Sequence, residues 1–200
     1  MKILGITGGV GAGKSTVLEY LASGYGALII SCDEVGRALQ QPGGSCFDGM
    51  VSLFGTEVLK EDRSLDREKI SRKVFEDKEL LERLNGLIHP AVRQEVERLT
   101  MEASKEGRPL AVVESAILLE CGYDRICDEI WYIHTDIEKR IRRLAISRGY
   151  TREKTLRVAG AQKSEEYFRE HCSLVIDNSS DDPEDTYRQI DEGLRTHGLL

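Results

Sequence analysis

The chain has 200 residues, a net charge of −7 at neutral pH and 40% hydrophobic residues, which suits one compact domain with a sizeable core. The acidic balance argues against general binding to nucleic acid or an anionic membrane, both of which favour basic surfaces. No apolar run approaches the roughly 20 residues that span a bilayer, and five cysteines with no C-x-x-C pair, beside four scattered histidines, show no zinc-ligand spacing and point to reduced thiols.

Met1 leads directly into a strand, with no signal or transit segment, so cytoplasmic residence is expected. Lys2 to Thr7 reads as a short buried strand, and Thr16 to Ala22 as a helix with Val17, Leu18 and Leu21 on one face. Between them lies Gly8-Gly9-Val10-Gly11-Ala12-Gly13-Lys14-Ser15, followed by Thr16. It fits the phosphate-loop pattern G-x-x-x-x-G-K-[ST] at every fixed position. Glycines let the backbone curl until successive N–H groups converge on phosphate oxygens. The helix N-terminus adds free donors and partial positive charge. Lys14 brings a full charge to the β- and γ-phosphates, and the Ser15 hydroxyl can ligate Mg²⁺. An ordinary glycine-rich turn is the alternative, and strand, spacing, lysine, serine and helix together oppose it. The chain is expected to bind a nucleoside triphosphate.

Gly24-Tyr25-Gly26 stops the first helix, and Ala27 to Ile30 makes a second, parallel strand. That strand runs into Ser31-Cys32-Asp33. Ligands of open parallel sheets gather at the carboxyl ends of strands, which would face Asp33 toward the phosphate loop. Asp33 also reads as an N-cap for a helix from Glu34 to Gln41. From Gln41 to Gly107 the pattern is mostly helical, with apolar residues three or four apart in Arg67 to Phe75, Lys78 to Leu87 and Pro90 to Lys105. Pro90 suits a first helical turn. This excursion reads either as an acceptor-binding insertion or as plain core helices.

Pro109 to Val113 is a near-continuous apolar run, hence a buried parallel strand, and it ends on Glu114. A carboxylate there resembles the second acidic site of phosphate-loop enzymes, with a cap or salt-bridge partner as the open alternative. Glu129 to His134 makes a fourth strand. Lys139, Arg140, Arg142, Arg143, Arg148, Arg152, Lys154 and Arg157 then crowd one stretch of an acidic chain. Forked arginine hydrogen bonds stabilise charge on a transferring phosphoryl group, so this basic helical pair is a candidate lid, although part of it is a solvated helix face. Ser173 to Ile176 makes a fifth strand, Asp177 to Ser180 a polar turn, and Asp182-Pro183 caps a closing helix to about Arg195.

With these pieces in order, the chain from Ile3 to about Ser180 resembles the dephospho-CoA kinases, phosphate-loop kinases related to nucleoside monophosphate kinases. The resemblance rests on Gly5-Ile6-Thr7-Gly8-Gly9-Val10-Gly11-Ala12-Gly13-Lys14-Ser15-Thr16, Asp33, Leu65-Asp66-Arg67, Val74-Phe75, Ile88-His89-Pro90, Leu118-Leu119-Glu120, Ser147-Arg148-Gly149-Tyr150, Gln162 and Ile176-Asp177-Asn178. It implies an α/β fold of the P-loop NTPase type: about five parallel strands flanked by helices, a helical acceptor-binding insertion over about 41–107 and a basic helical lid over about 136–170. The core would be 1–40, 108–135 and 171–200, in one domain. The implied reaction transfers the ATP γ-phosphoryl to the ribose 3′-hydroxyl of dephospho-coenzyme A, with Mg²⁺. The resemblance makes Asp33 the base, with Lys14 catalytic. Gly8 to Thr16, Arg143, Arg148 and Asn178 are carried over to ATP, Asp33, Arg67, His89 and Glu114 to the acceptor, and Ser15 to the metal.

The chain departs from the family where a second aspartate is common, at Ser31, and where the strand-three carboxylate is Glu114 followed by Ser115-Ala116. A kinase for another small acceptor and a non-enzymatic nucleotide switch are the rival readings, although no guanine-reading motif is present. No nucleic-acid or membrane partner is expected, and the chain is expected to be a monomer or weak homo-oligomer.

Overall fold

The computed structural model of the protein describes residues 1–200. In chain order it contains β1 (Lys2–Thr7), α1 (Lys14–Tyr25), β2 (Leu28–Ser31), α2 (Cys32–Leu39), α3 (Phe47–Phe54), α4 (Arg67–Glu76), α5 (Lys78–Lys105), β3 (Leu110–Glu114), β4 (Glu129–His134), α6 (Ile137–Arg148), α7 (Arg152–Gly160), α8 (Glu165–His171), β5 (Leu174–Asp177) and α9 (Pro183–Thr196). The strands form one five-stranded parallel sheet in the order β2-β3-β1-β4-β5. Its register pairs Ile6 with Glu114, Thr7 with Tyr132, and His134 with Asp177. Placing β1 between β3 and β4 brings the carboxyl ends of those three strands together around the segment that follows Thr7.

The chain forms two compact units, one of Met1–Ile30 with Thr100–Leu200, the other Ser31–Leu99. In the first, the apolar runs predicted as strands are buried: Leu110 to Val113 are each 0% exposed, as a parallel strand covered on both faces requires. Val17 and Leu21 of α1 and Ile190 and Leu194 of α9 join Leu4, Ile6, Trp131, Ile133 and Ile176 in the main core. Tyr20 and Tyr25 both donate to Asp191 Oδ1, at 2.7 and 2.6 Å, which ties α1 to α9. That shared acceptor also pushes the pKa of both phenols up, the hydrogen bond being the larger cause and burial the next.

The second unit has its own cluster of Met50, Phe54, Val58, Leu65 and Ile70, with Leu84, Leu87 and Ile88 of α5 packed on it. Asp66 caps α4 by accepting from the amides of Glu68 and Lys69. Two expectations need correction here. The second helix begins at Cys32 rather than Glu34, with Ser31 in the N-cap position, so Asp33 lies inside the first turn and is not the cap. The helices expected on either side of Pro90 are one continuous helix, α5, with the proline inside it. The ring of a proline crowds the carbonyl four residues back. Here that residue is Gly86, which has open space where a Cβ would be, so the local chain can adjust. Helices α3 and α8 are short, of 8 and 7 residues, so each carries little apolar periodicity in the sequence.

All five cysteines are free thiols, and no helix is long and apolar enough to cross a membrane.

Gly193 tests the packing of α9 on the sheet. A Cβ there would lie 2.6 Å from Leu174 Cδ2 and 2.8 Å from the Trp131 ring. Alanine would gain about 1 kcal/mol of helix propensity, but overpacking against a fully buried indole costs about 1–3 kcal/mol. Gly193→Ala should therefore lower stability in urea unfolding, and a rise in the midpoint would show that the ring yields.

Candidate active site

The segment from Gly8 to Gly13 turns its backbone in two directions. Gly11 and Gly13 hold φ at 78° and 81°, the left-handed region that side chains with a Cβ resist. Gly8 allows close approach instead, since a Cβ there would sit 2.7 Å from the Ile133 carbonyl oxygen. Gly13 is the N-cap of α1 and supplies no side-chain cap. The amides of Gly13, Lys14 and Ser15 donate to no acceptor in the protein, which leaves a set of free donors at the helix N-terminus for an anion.

The carbonyls of Gly8, Gly9, Val10, Ala12 and Gly13 find donors within the protein. Lys14 Nζ donates to the Gly8 carbonyl at 2.9 Å. The Ala12 amide reaches Gly9, and the Thr16 amide reaches Gly13, each at 3.1 Å. Arg140 Nε donates to Val10 at 2.8 Å. Ala12 accepts from Asn178 Nδ2 at 2.8 Å and from Thr135 Oγ1 at 2.9 Å. Arg143 adds a longer contact to Ala12 at 3.5 Å and donates to the Asn178 carbonyl at 3.0 Å.

Lys14 Nζ also lies 3.4 Å from Glu114 Oε1, with the two side chains 15% and 14% exposed. The strand-three carboxylate is thus a salt-bridge partner of the loop lysine and not a helix cap. Ser15 presents its hydroxyl on the exposed first turn of α1, beside Thr16.

The basic stretch divides. Arg143 is half-buried against the loop, and burial pulls the pKa of both Arg140 and Arg143 down from the usual guanidinium value. Arg148 ends α6 exposed and makes no hydrogen bond to the loop, because five residues beyond Arg143 is nearly half a helical turn away from its face. Arg140, one of the eight basic residues between Lys139 and Arg157, packs flat on the loop: a Cβ at Gly9 would lie 2.6 Å from its Nη2. Its helical position three before Arg143 was the available signal. Asn178 is 5% exposed, and its side chain is spent on Ala12 and on accepting from Thr186 Oγ1 at 3.0 Å. It shapes the loop rather than presenting a free amide.

A cleft of about 470 Å³ adjoins the loop, lined by Gly9, His134, Asp136, Arg140, Gln162, Lys163 and Glu165 among others. In the second unit Asp33 is exposed in the first turn of α2. Arg67 opens α4 and, with Gln40, Lys60 and Asp66, lines a separate cleft of about 550 Å³. His89 is half-buried on α5, where burial pulls its pKa down and favours the neutral imidazole at pH 7.

A sequence model of dephospho-CoA kinases matches residues 2–184. The chain belongs to the dephospho-CoA kinase family. A dephospho-CoA kinase of Corynebacterium glutamicum is 36% identical over 176 residues, 88% of this chain and 90% of the relative. A crystal structure from Thermus thermophilus superposes with a TM-score of 0.81 at 32% identity, over 98% of this chain and 97% of the other. The dephospho-CoA kinase of Campylobacter jejuni, 20% identical, shares the fold with a TM-score of 0.71 over the whole of both chains. The enzyme phosphorylates dephospho-CoA at the expense of ATP, a step of coenzyme A biosynthesis.

Asn178→Ala removes one donor to Ala12, which keeps Thr135, and strands the Thr186 hydroxyl without its acceptor. A buried polar group left unpaired costs about 1–3 kcal/mol, so thermal unfolding should show that loss together with weaker ATP binding by titration calorimetry. Unchanged ATP affinity in the folded variant would mean the loop holds its shape without Asn178.

Proposed function

We propose that Lys14 and those amides between Gly8 and Thr16 that the protein leaves without an acceptor, Gly13, Lys14 and Ser15 among them, hold the ATP phosphates and that Asp33 is the base for the ribose 3′-hydroxyl of dephospho-CoA. The observation that carries the first part is the loop itself: the carbonyls of Val10 and Ala12 are bound to distant parts of the protein and its helix-end amides are left uncapped. An anion is the ligand such a surface favours. The Asp33 role is supported by the family, by the position of Asp33 directly after β2, and by its exposed carboxylate. As the hydroxyl attacks, the carboxylate takes its proton and the γ-phosphoryl passes to the oxygen with ADP as leaving group.

Arg143, already against the loop, is proposed to stabilise charge on the phosphates. Arg148 is exposed, and its carried-over role would need α6 and α7, the proposed lid, to move. Arg67, His89 and Glu114 are proposed toward the acceptor, although Glu114, by its contact with Lys14, fits better as a member of the phosphate site. Mg²⁺ fits the donors present. Ser15 offers a hydroxyl and Glu114 a carboxylate, both hard oxygens, and no cluster of three or more His, Cys, Asp or Glu exists that would trap another metal. Magnesium keeps most of its water and takes one or two protein oxygens beside the phosphates. When bound it would neutralise phosphate charge. The free thiols agree with a reducing, cytoplasmic setting.

The decisive assay is ADP release from Mg-ATP with and without dephospho-CoA, with mass analysis of the product. Asp33→Asn should keep ATP affinity and lose roughly 10²- to 10⁴-fold in kcat. Retained turnover, or loss of ATP binding in its place, would remove Asp33 from the role of base.

A further inference from the structure

Val10 carries a grip that the loop's phosphate role does not explain. Its carbonyl accepts from Arg140 Nε at 2.8 Å, and its amide donates to Gln162 Oε1 at 3.0 Å. The same Gln162 oxygen accepts from Arg140 Nη2 at 3.3 Å. One peptide unit on each side of Val10 is thus held by the segment from Ile137 to Glu165, from two separate places: Arg140 on α6, and Gln162 in the link between α7 and α8. Gln162 is partly exposed, and the N–H it holds belongs to the same loop as the unpartnered amides of Gly13, Lys14 and Ser15.

We propose that Gln162 is a positioning residue that latches the lid to the phosphate loop. With the link docked, its carboxamide oxygen keeps the Val10 amide turned outward and steers the Arg140 guanidinium onto the loop, so that the loop holds its receptive shape. With the link displaced, Val10 loses its acceptor and Arg140 loses one of its two guides. ATP capture and lid position are thereby coupled through one side chain. This inference rests on the reading of the loop as the ATP site and of residues 136–170 as a lid.

The chemistry demands an acceptor at the end of a four-atom reach, which Gln162→Glu retains and Gln162→Ala and Gln162→Asn do not. Misplacing one positioned hydrogen bond is worth roughly tenfold. Each shortened variant should therefore raise the KM for ATP or lower kcat by about that factor, and should increase ADP released per molecule of product formed. Gln162→Glu should restore the ratio of ADP to product toward one, because its carboxylate accepts from both Val10 and Arg140. In a double-mutant cycle, Arg140→Ala with Gln162→Ala should be far less than the product of the two single effects on kcat/KM.

Thermal unfolding is read alongside. A lowered melting temperature with unchanged KM, kcat and ADP-to-product ratio would make Gln162 a structural residue only and overturn the latch, as would Gln162→Asn behaving like the wild type. If Gln162→Ala does not fold, the shorter amide of Gln162→Asn carries the test. Failure of the wild-type chain to phosphorylate dephospho-CoA would instead overturn the reading beneath the proposal, and the two failures are read in separate assays.

Discussion

A peptide loop that converges its amides on an anion must turn its carbonyls outward, and the rest of the first unit follows from meeting that demand. Each buried carbonyl without a donor costs about 1–3 kcal/mol, and several lie between Gly8 and Gly13. Local chain satisfies part of them, through the Ala12 and Thr16 amides. Lys14 serves Gly8, and Val10 and Ala12 take donors from far along the sequence: Thr135 after β4, Arg140 and Arg143 on α6, and Asn178 after β5. The strand order places β4 beside β1 and β5 beside β4, which is what delivers those donors to the loop. The sheet topology and the shape of the phosphate site are thus one requirement seen twice.

Charge in the site follows the same economy of position. Lys14 lies at the loop with both a carbonyl and Glu114 within reach, so its ammonium is held near where phosphate oxygens belong instead of searching from solvent. The side chains are largely buried, and a half-desolvated pair is strongest when both partners are further hydrogen-bonded. The longer Glu114, standing where an aspartate is common in the family, still makes that contact. Burial lowers the pKa of Arg140 and Arg143 yet leaves guanidinium groups charged at neutral pH.

The second unit shows how far local signals reach. The helical spacing read from Arg67 onward matches α4, and the residue before it, Asp66, caps that helix. Pro90 reads as a helix start and is not one, because apolar packing of Leu84, Leu87 and Ile88 on the Met50 and Phe54 cluster holds the helix through the proline. A break signal is a local preference of about 3 kcal/mol, and tertiary burial of several apolar side chains exceeds it. The same competition shifts the start of α2 to Cys32, which is buried.

What the sequence by itself determined is what depends on near neighbours or on a strict spacing. The phosphate loop, five strands to within a residue or two, the cap at Asp182 and the basic helical pair are all of this kind, since strand burial and glycine-dependent φ leave their mark on adjacent residues. The family resemblance added the acceptor. Only the tertiary structure decided which members of a charge run do work. Arg143 and Arg140 reach the loop and Arg148 does not, a difference of helical phase that a list of arginines conceals. It also turned Asn178 inward to the Ala12 carbonyl, joined Glu114 to Lys14, and gave Gln162 a partner 152 residues away. Contacts between residues so far apart leave no periodicity in the chain, because they are selected by geometry after the sheet has formed.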